Sequence, residues 1–178
     1  MQRIEGVLGV VDHHQFYVVT DDGYPEFPAT RSIHDVIAPT SGHGFCVMTG
    51  IAMGAVQLAI EVLGRAPESI DDRREWEAVT DISFSAASST AHVQALMEST
   101  PEPFSAFTLP RAPGWYRVRA HAQGRSLDFD TVVSENPREY HLLQMWPADS
   151  REEPIDHRID DRWDRQHLKQ GLTESDLP

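Results

Sequence analysis

A single cysteine, Cys46, denies this 178-residue chain an internal disulfide and excludes a cysteine-rich metal site. Cationic residues are also scarce: 15 Lys and Arg stand against 28 Asp and Glu, for a net charge of −13. Nucleic acid and anionic membrane surfaces both need a basic face, so neither is expected as a direct partner. No apolar run approaches the ~18 residues of a membrane span. The opening, Met1 to Gly6, lacks the basic start and apolar core of a signal peptide, which makes a cytoplasmic protein the expectation. Catalytic signatures are missing too. No G-x-S-x-G or S-x-x-K turn presents a nucleophile, and no glycine-rich phosphate loop occurs. The lone Lys169 lies far toward the C-terminal end, and no spacing among the many carboxylates selects an acid–base pair. No cofactor is expected.

What the chain does contain is alternation. Gly114 to Ala122 places Tyr116, Val118, Ala120 and Ala122 on one side and Trp115, Arg117, Arg119 and His121 on the other. Period two is strand geometry, so this stretch reads as a half-buried antiparallel strand bounded by Pro113-Gly114 and Gln123-Gly124. Glu139 to Pro147 has the same texture and is expected beside it. Before them, Val7–Val11 and Phe16–Thr20 read as a hairpin around Asp12-His13-His14-Gln15. Residues 24–44 carry Pro25, Pro28 and Pro39 and read as a long surface connection with a turn of helix near 33–37.

Phe45–Thr49 follows as a strand. Residues 51–63 fit a helical stripe as well as an alternation, and their β-branched content and bounding glycines favour strand. Trp76–Phe84, with Trp76 as a core anchor, and Ala91–Met97 alternate again, and 127–133 could add a short edge strand. The sum is a mainly β protein, an antiparallel β-sandwich or barrel of eight or nine strands in residues 1–148.

Residues 149–178 form a charged tail. Ser150-Arg151-Glu152-Glu153 has capping-box spacing, and Ile155, Ile159 and Trp163 recur every four residues. One amphipathic C-terminal helix is expected there.

Gly114 to Ala122, followed by Tyr140-His141-Leu142-Leu143-Gln144-Met145-Trp146-Pro147-Ala148, resembles a pattern in small uncharacterised actinobacterial β-sandwich proteins. Those are in turn distantly similar to the competence protein J family of nuclease inhibitors. The resemblance covers roughly residues 76–148 and carries no catalytic motif. It implies binding and inhibition of another protein, without enzymatic activity.

The surface feature that fits such a role is the row Trp115, Arg117, Arg119 and His121, read as facing outward, since Trp and Arg dominate binding hot spots. The row could equally be a cross-strand ladder whose arginines meet Glu139, Asp128 or Asp130, or a face covered by the C-terminal helix, whose acids would meet the arginines. The acidic balance favours a basic protein partner, and the resemblance implies that it could be a nuclease. Two other classes stay open. One is a metal-dependent enzyme or small-ligand binder using the loop histidines His13, His34 and His43. The other is a structural homodimer.

Overall fold

The structure is a computed structural model describing residues 1–21, 36–40, 42–96, 100, 102–160 and 162. Among the described residues, twelve strands form one sheet. They are β1 (Gln2–Asp12), β2 (Gln15–Val19), β3 (Ile37–Pro39), β4 (Gly44–Met48), β5 (Met53–Val62) and β6 (Ala78–Ala86). Then follow β7 (Thr90–Gln94), β8 (Phe107–Thr108), β9 (Gly114–Gln123), β10 (Val132–Val133), β11 (Tyr140–Pro147) and β12 (Ile155–Arg158). The order is β12-β6-β9-β11-β5-β1-β2-β4-β3, with β10 on β5, and β7 joining β2 to β8.

β1 and β2 meet only at their turn, Asp12 against Gln15. His13 and His14 both adopt positive φ there, 50° and 60°, the backbone of a tight hairpin turn that matches strand twist. Just before it, β1 slips register against β5 between Leu8 and Val11. Such a bulge bends the strand. The sheet curls at this point, so that β3 and β4 come up against β6. Phe45 of β4 meets Phe84 of β6 edge-on, with ring centroids 4.9 Å apart.

Inside the curl lies the main core. Tyr116, Val118, Ala120 and Ala122 are fully buried there with Leu8, Phe16, Val18, Val56, Leu58, Ile60, Leu143 and Met145. The inward half of the β9 alternation is therefore as read from the sequence.

Two parts of the expected fold are overturned. The sheet is mixed, a curled half-barrel, and not an antiparallel sandwich or closed barrel: β11 runs parallel to β5 from Tyr140↔Gln57 to Met145↔Val62, and β10 also runs parallel to it. Alternation cannot distinguish the two senses, because the side-chain period is two in both. Parallel neighbours need a long connection, and between β5 and β11 it consists of β6 to β10. β10 reaches β5 only because residue 54 is glycine, with φ +107°. A Cβ there would lie 2.0 Å from the Val133 carbonyl oxygen.

The second correction concerns the C-terminal helix. Residues 149–160 contain no helix, and Ile155–Arg158 is a strand on the edge of β6. The groups that a first helical turn would use are taken by tertiary bonds. The Glu152 N–H donates to Ser83 Oγ at 2.9 Å, and Arg117 Nη1 donates to the Glu152 and Glu153 carbonyls. Trp163 and the rest of the expected helix lie outside the described residues, as does most of the 24–44 connection. Residues 51–63 resolve as strand β5.

Candidate functional site

The row on the outer face of β9 divides in two. Trp115 is 37% exposed, whereas Arg117 is 2%, Arg119 9% and His121 0% exposed. Registration explains the split. β6 lies antiparallel to β9 and sets Ser85 opposite Trp115, Ser83 opposite Arg117, Asp81 opposite Arg119 and Val79 opposite His121. Arg119 donates two hydrogen bonds to Asp81, at 2.7 and 2.9 Å, and a third to the Ser69 carbonyl. His157 of β12 adds a contact to the same carboxylate at 3.2 Å. Burial alone would raise the Asp81 carboxyl, but the bonds from Arg119 and His157 outweigh it and hold it below its ordinary value.

Arg117 is held by Ser83 Oγ and the two strap carbonyls, with its closest carboxylate, Glu152, at 3.9 Å. His121 donates from Nδ1 to the Leu142 carbonyl and packs on Trp76, ring centroids 5.2 Å apart. Burial depresses its pKa to about 4, so the ring is neutral.

The arginines are thus a buried ladder beneath residues 69–76 and 149–158, and the outward reading holds only for Trp115. The segment after β11 does cover the row and brings Glu152 to Arg117, but the cross-strand acids expected for the arginines, Glu139, Asp128 and Asp130, are engaged elsewhere. Asp128 pairs with Arg138, Asp130 contacts His14, and buried Glu139 accepts from the Gly50 and Ile51 amides and contacts His141 at 2.7 Å.

Trp115 stands at the seam where the curled sheet approaches itself. A small open pocket of about 220 Å³ lies beside it, lined by Thr40, Gly44, Ser83, Ser85 and Arg151 among others. Ser85 of this lining is hydrogen-bonded through Oγ to Nδ1 of His43 at 2.8 Å.

The loop histidines do not assemble a metal centre among the described residues, where no group of three or more His, Cys, Asp or Glu is placed to hold an ion. His13 pairs with Asp12, and His43 is on Ser85. His34 lies outside the described residues.

Sequence reasoning missed a second charged cluster on the outer face. Glu61 of β5 receives Arg3, Arg73 and Gln144, and Asp71 receives Arg73 and the Trp76 indole. Burial would raise both carboxyls, and these donors hold them below their usual range. The partners are far apart in the chain, and the one local signal was the run Asp71-Asp72-Arg73-Arg74.

Fold and site together define a curled, mixed-sheet β protein with a dry inner face and an ion-paired outer face. Among solved structures, the chain is similar to ComJ, inhibitor of the DNA degrading activity of NucA, from Bacillus subtilis. That match has a TM-score of 0.56 at 14% identity and covers 83% of this chain and 100% of that one. A second structure, described as crocagin biosynthetic gene J, matches at TM-score 0.49 and 13% identity, over 82% of this chain and 97% of that one. No protein-family model matches the chain, and no curated protein matches it in sequence. The likeness to ComJ is one of fold, in agreement with the resemblance noted in residues 76–148.

Proposed function

We propose that this chain is a non-catalytic, inhibitor-type protein that binds a basic partner such as a nuclease in the cytoplasm. The observation that carries the reading is the fold shared with an inhibitor along 83% of the chain. Its charge supports the choice of partner. Arg3, Arg73, Arg119, Arg138 and Arg162 are already paired with the chain's own acids, so the net −13 is expressed as surplus surface carboxylate. Such a surface steers cationic proteins toward it. Trp115, half out of the surface beside its pocket, is the anchor, and the buried arginines hold its strand rigid.

The test uses the full chain as bait on a lysate of its native host, with the captured protein purified and titrated against it. The expected partner has a pI above ~9, binds one to one, and loses activity in the complex. Affinity falls as salt rises from ~50 to ~300 mM, where the Debye length shortens from about 14 to about 6 Å. Trp115→Ala weakens binding by about tenfold or more. An acidic partner, or a partner whose activity is unchanged when bound, refutes the proposal.

A further inference from the structure

A second cleft, sharing no lining residue with the Trp115 pocket, opens on the outer face between β1, β5, β11 and the loop that precedes β6. Its volume is about 370 Å³, within the ~300–1,000 Å³ usual for small-ligand sites. Ala59 and Leu142 give it an apolar floor, and Trp76 and Tyr140 add aromatic walls.

Three arginines line it, and their commitments differ. Arg3 is bound to Glu5 and Glu61, and Arg73 to Glu61 and Asp71. Arg74 pairs with no carboxylate among the described residues. Its guanidinium lies over the Tyr140 ring, 3.7 Å from the centroid. A guanidinium resting on an aromatic ring keeps its N–H groups free to take a carboxylate in bidentate fashion. Both walls are already fixed, the loop by Arg73 and by the Trp76 indole bond to Asp71, and Tyr140 by its place in β11. Little ordering remains for a ligand to impose.

We propose that this cleft binds a carboxylate carried on an apolar arm, and specifically the C-terminal end of a peptide that finishes in an aromatic or aliphatic residue. The carboxylate meets Arg74, and the terminal side chain covers Ala59, Leu142 and Trp76. Exposed Glu5, paired with Arg3 at the same cleft, leaves Arg3 no charge to offer a second anionic group, so a lone carboxylate is preferred over phosphate or an acidic run. This site is independent of the Trp115 anchor.

The experiment is a titration of the ¹⁵N-labelled full chain with N-acetylphenylalanine, and separately with its amide, followed by NMR. The Trp76 indole N–H should shift saturably with about millimolar affinity for the acid, as befits so small a ligand. The Trp115 indole should stay in place. The amide should bind at least about tenfold more weakly, and Arg74→Gln should cost the acid a similar factor, because a charge-assisted pair is lost. Tyr140→Leu, which removes the platform and leaves the strand, should weaken the acid without changing the amide. Equal binding of acid and amide, unchanged affinity in Arg74→Gln, or a shift at Trp115 alone would each overturn the assignment.

Discussion

The two faces of the sheet are built on different physics, although the same strands supply both. Inside the curl, β9 contributes Tyr116, Val118, Ala120 and Ala122 to a continuous apolar core. Outside, it contributes Arg117, Arg119 and His121, which are nearly as buried, but under a loop and a strap rather than under a second layer of strands. The inner face is held by non-directional burial, which responds to volume. The outer face is held by directional bonds between ionised groups, which respond to the loss of one partner and to pH. Equal burial does not imply equal mechanism.

Variants can force the two faces apart. The largest loss is expected inside: Phe84→Ala removes a ring that touches both Phe45 and Tyr116, and should cost ~3–5 kcal/mol in urea unfolding. A cost below about 1 kcal/mol would mean that the curl does not close on β6.

Outside, Asp81→Ala strands the Arg119 guanidinium and should cost about 3 kcal/mol. The double variant Asp81→Leu with Arg119→Met should recover most of it. If the double variant is as damaged as the single one, the outer face is a packed core and the contrast fails.

Acid supplies a further separation. His121 binds its proton less readily folded, at about 4, than unfolded, at 6.5. The unfolded state therefore takes up more protons between those values, and stability falls as pH drops from 6.5 to 4, by about 3 kcal/mol at most. Below that window the depressed carboxyls of Asp81, Glu61 and Asp71 continue the loss, since stability tied to a lowered carboxyl pKa disappears as pH falls through it. His121→Gln should flatten the upper part of the profile, and an unaltered slope would place the titration elsewhere. The smallest effect belongs to the edge. Ile155 is 47% exposed on β12, so Ile155→Ser should stay within about 0.5 kcal/mol. A larger cost would show that the strap is packed more tightly than its exposure implies.

The inner half of this picture was legible in the sequence, because alternation assigns side chains to faces without reference to neighbours. That is why Tyr116 through Ala122 were placed correctly, and why β-branched residues settled 51–63 as strand. The outer half was not. Alternation puts Arg117 and Arg119 on the far side of β9 but says nothing about what lies over them, and Asp81 and Ser69 come from other parts of the chain. The capping-box spacing at Ser150 was a sound local signal, overridden because Ser83 and Arg117 claim the Glu152 and Glu153 backbone. Parallel pairing of β11 with β5 leaves no local trace at all. The exposure of Trp115 was legible because it belongs to the same alternation, whereas the cleft around Arg74 depends on β1, β5, β11 and a loop meeting at one place.

The parallel seam between β5 and β11 also sets an order of events during synthesis. β1 to β5 emerge first and can pair as they appear, but β5 then carries an apolar edge whose neighbour ends only at Pro147. At ~5–20 residues per second, the ribosome takes several seconds to deliver that neighbour. Throughout that interval an unpaired row of backbone groups along Gln57 to Val62 faces the cell, an invitation to mispairing between nascent chains. The seam that joins the two halves of the mature sheet therefore closes late, and only the β12 edge on β6 has to wait longer for its strand.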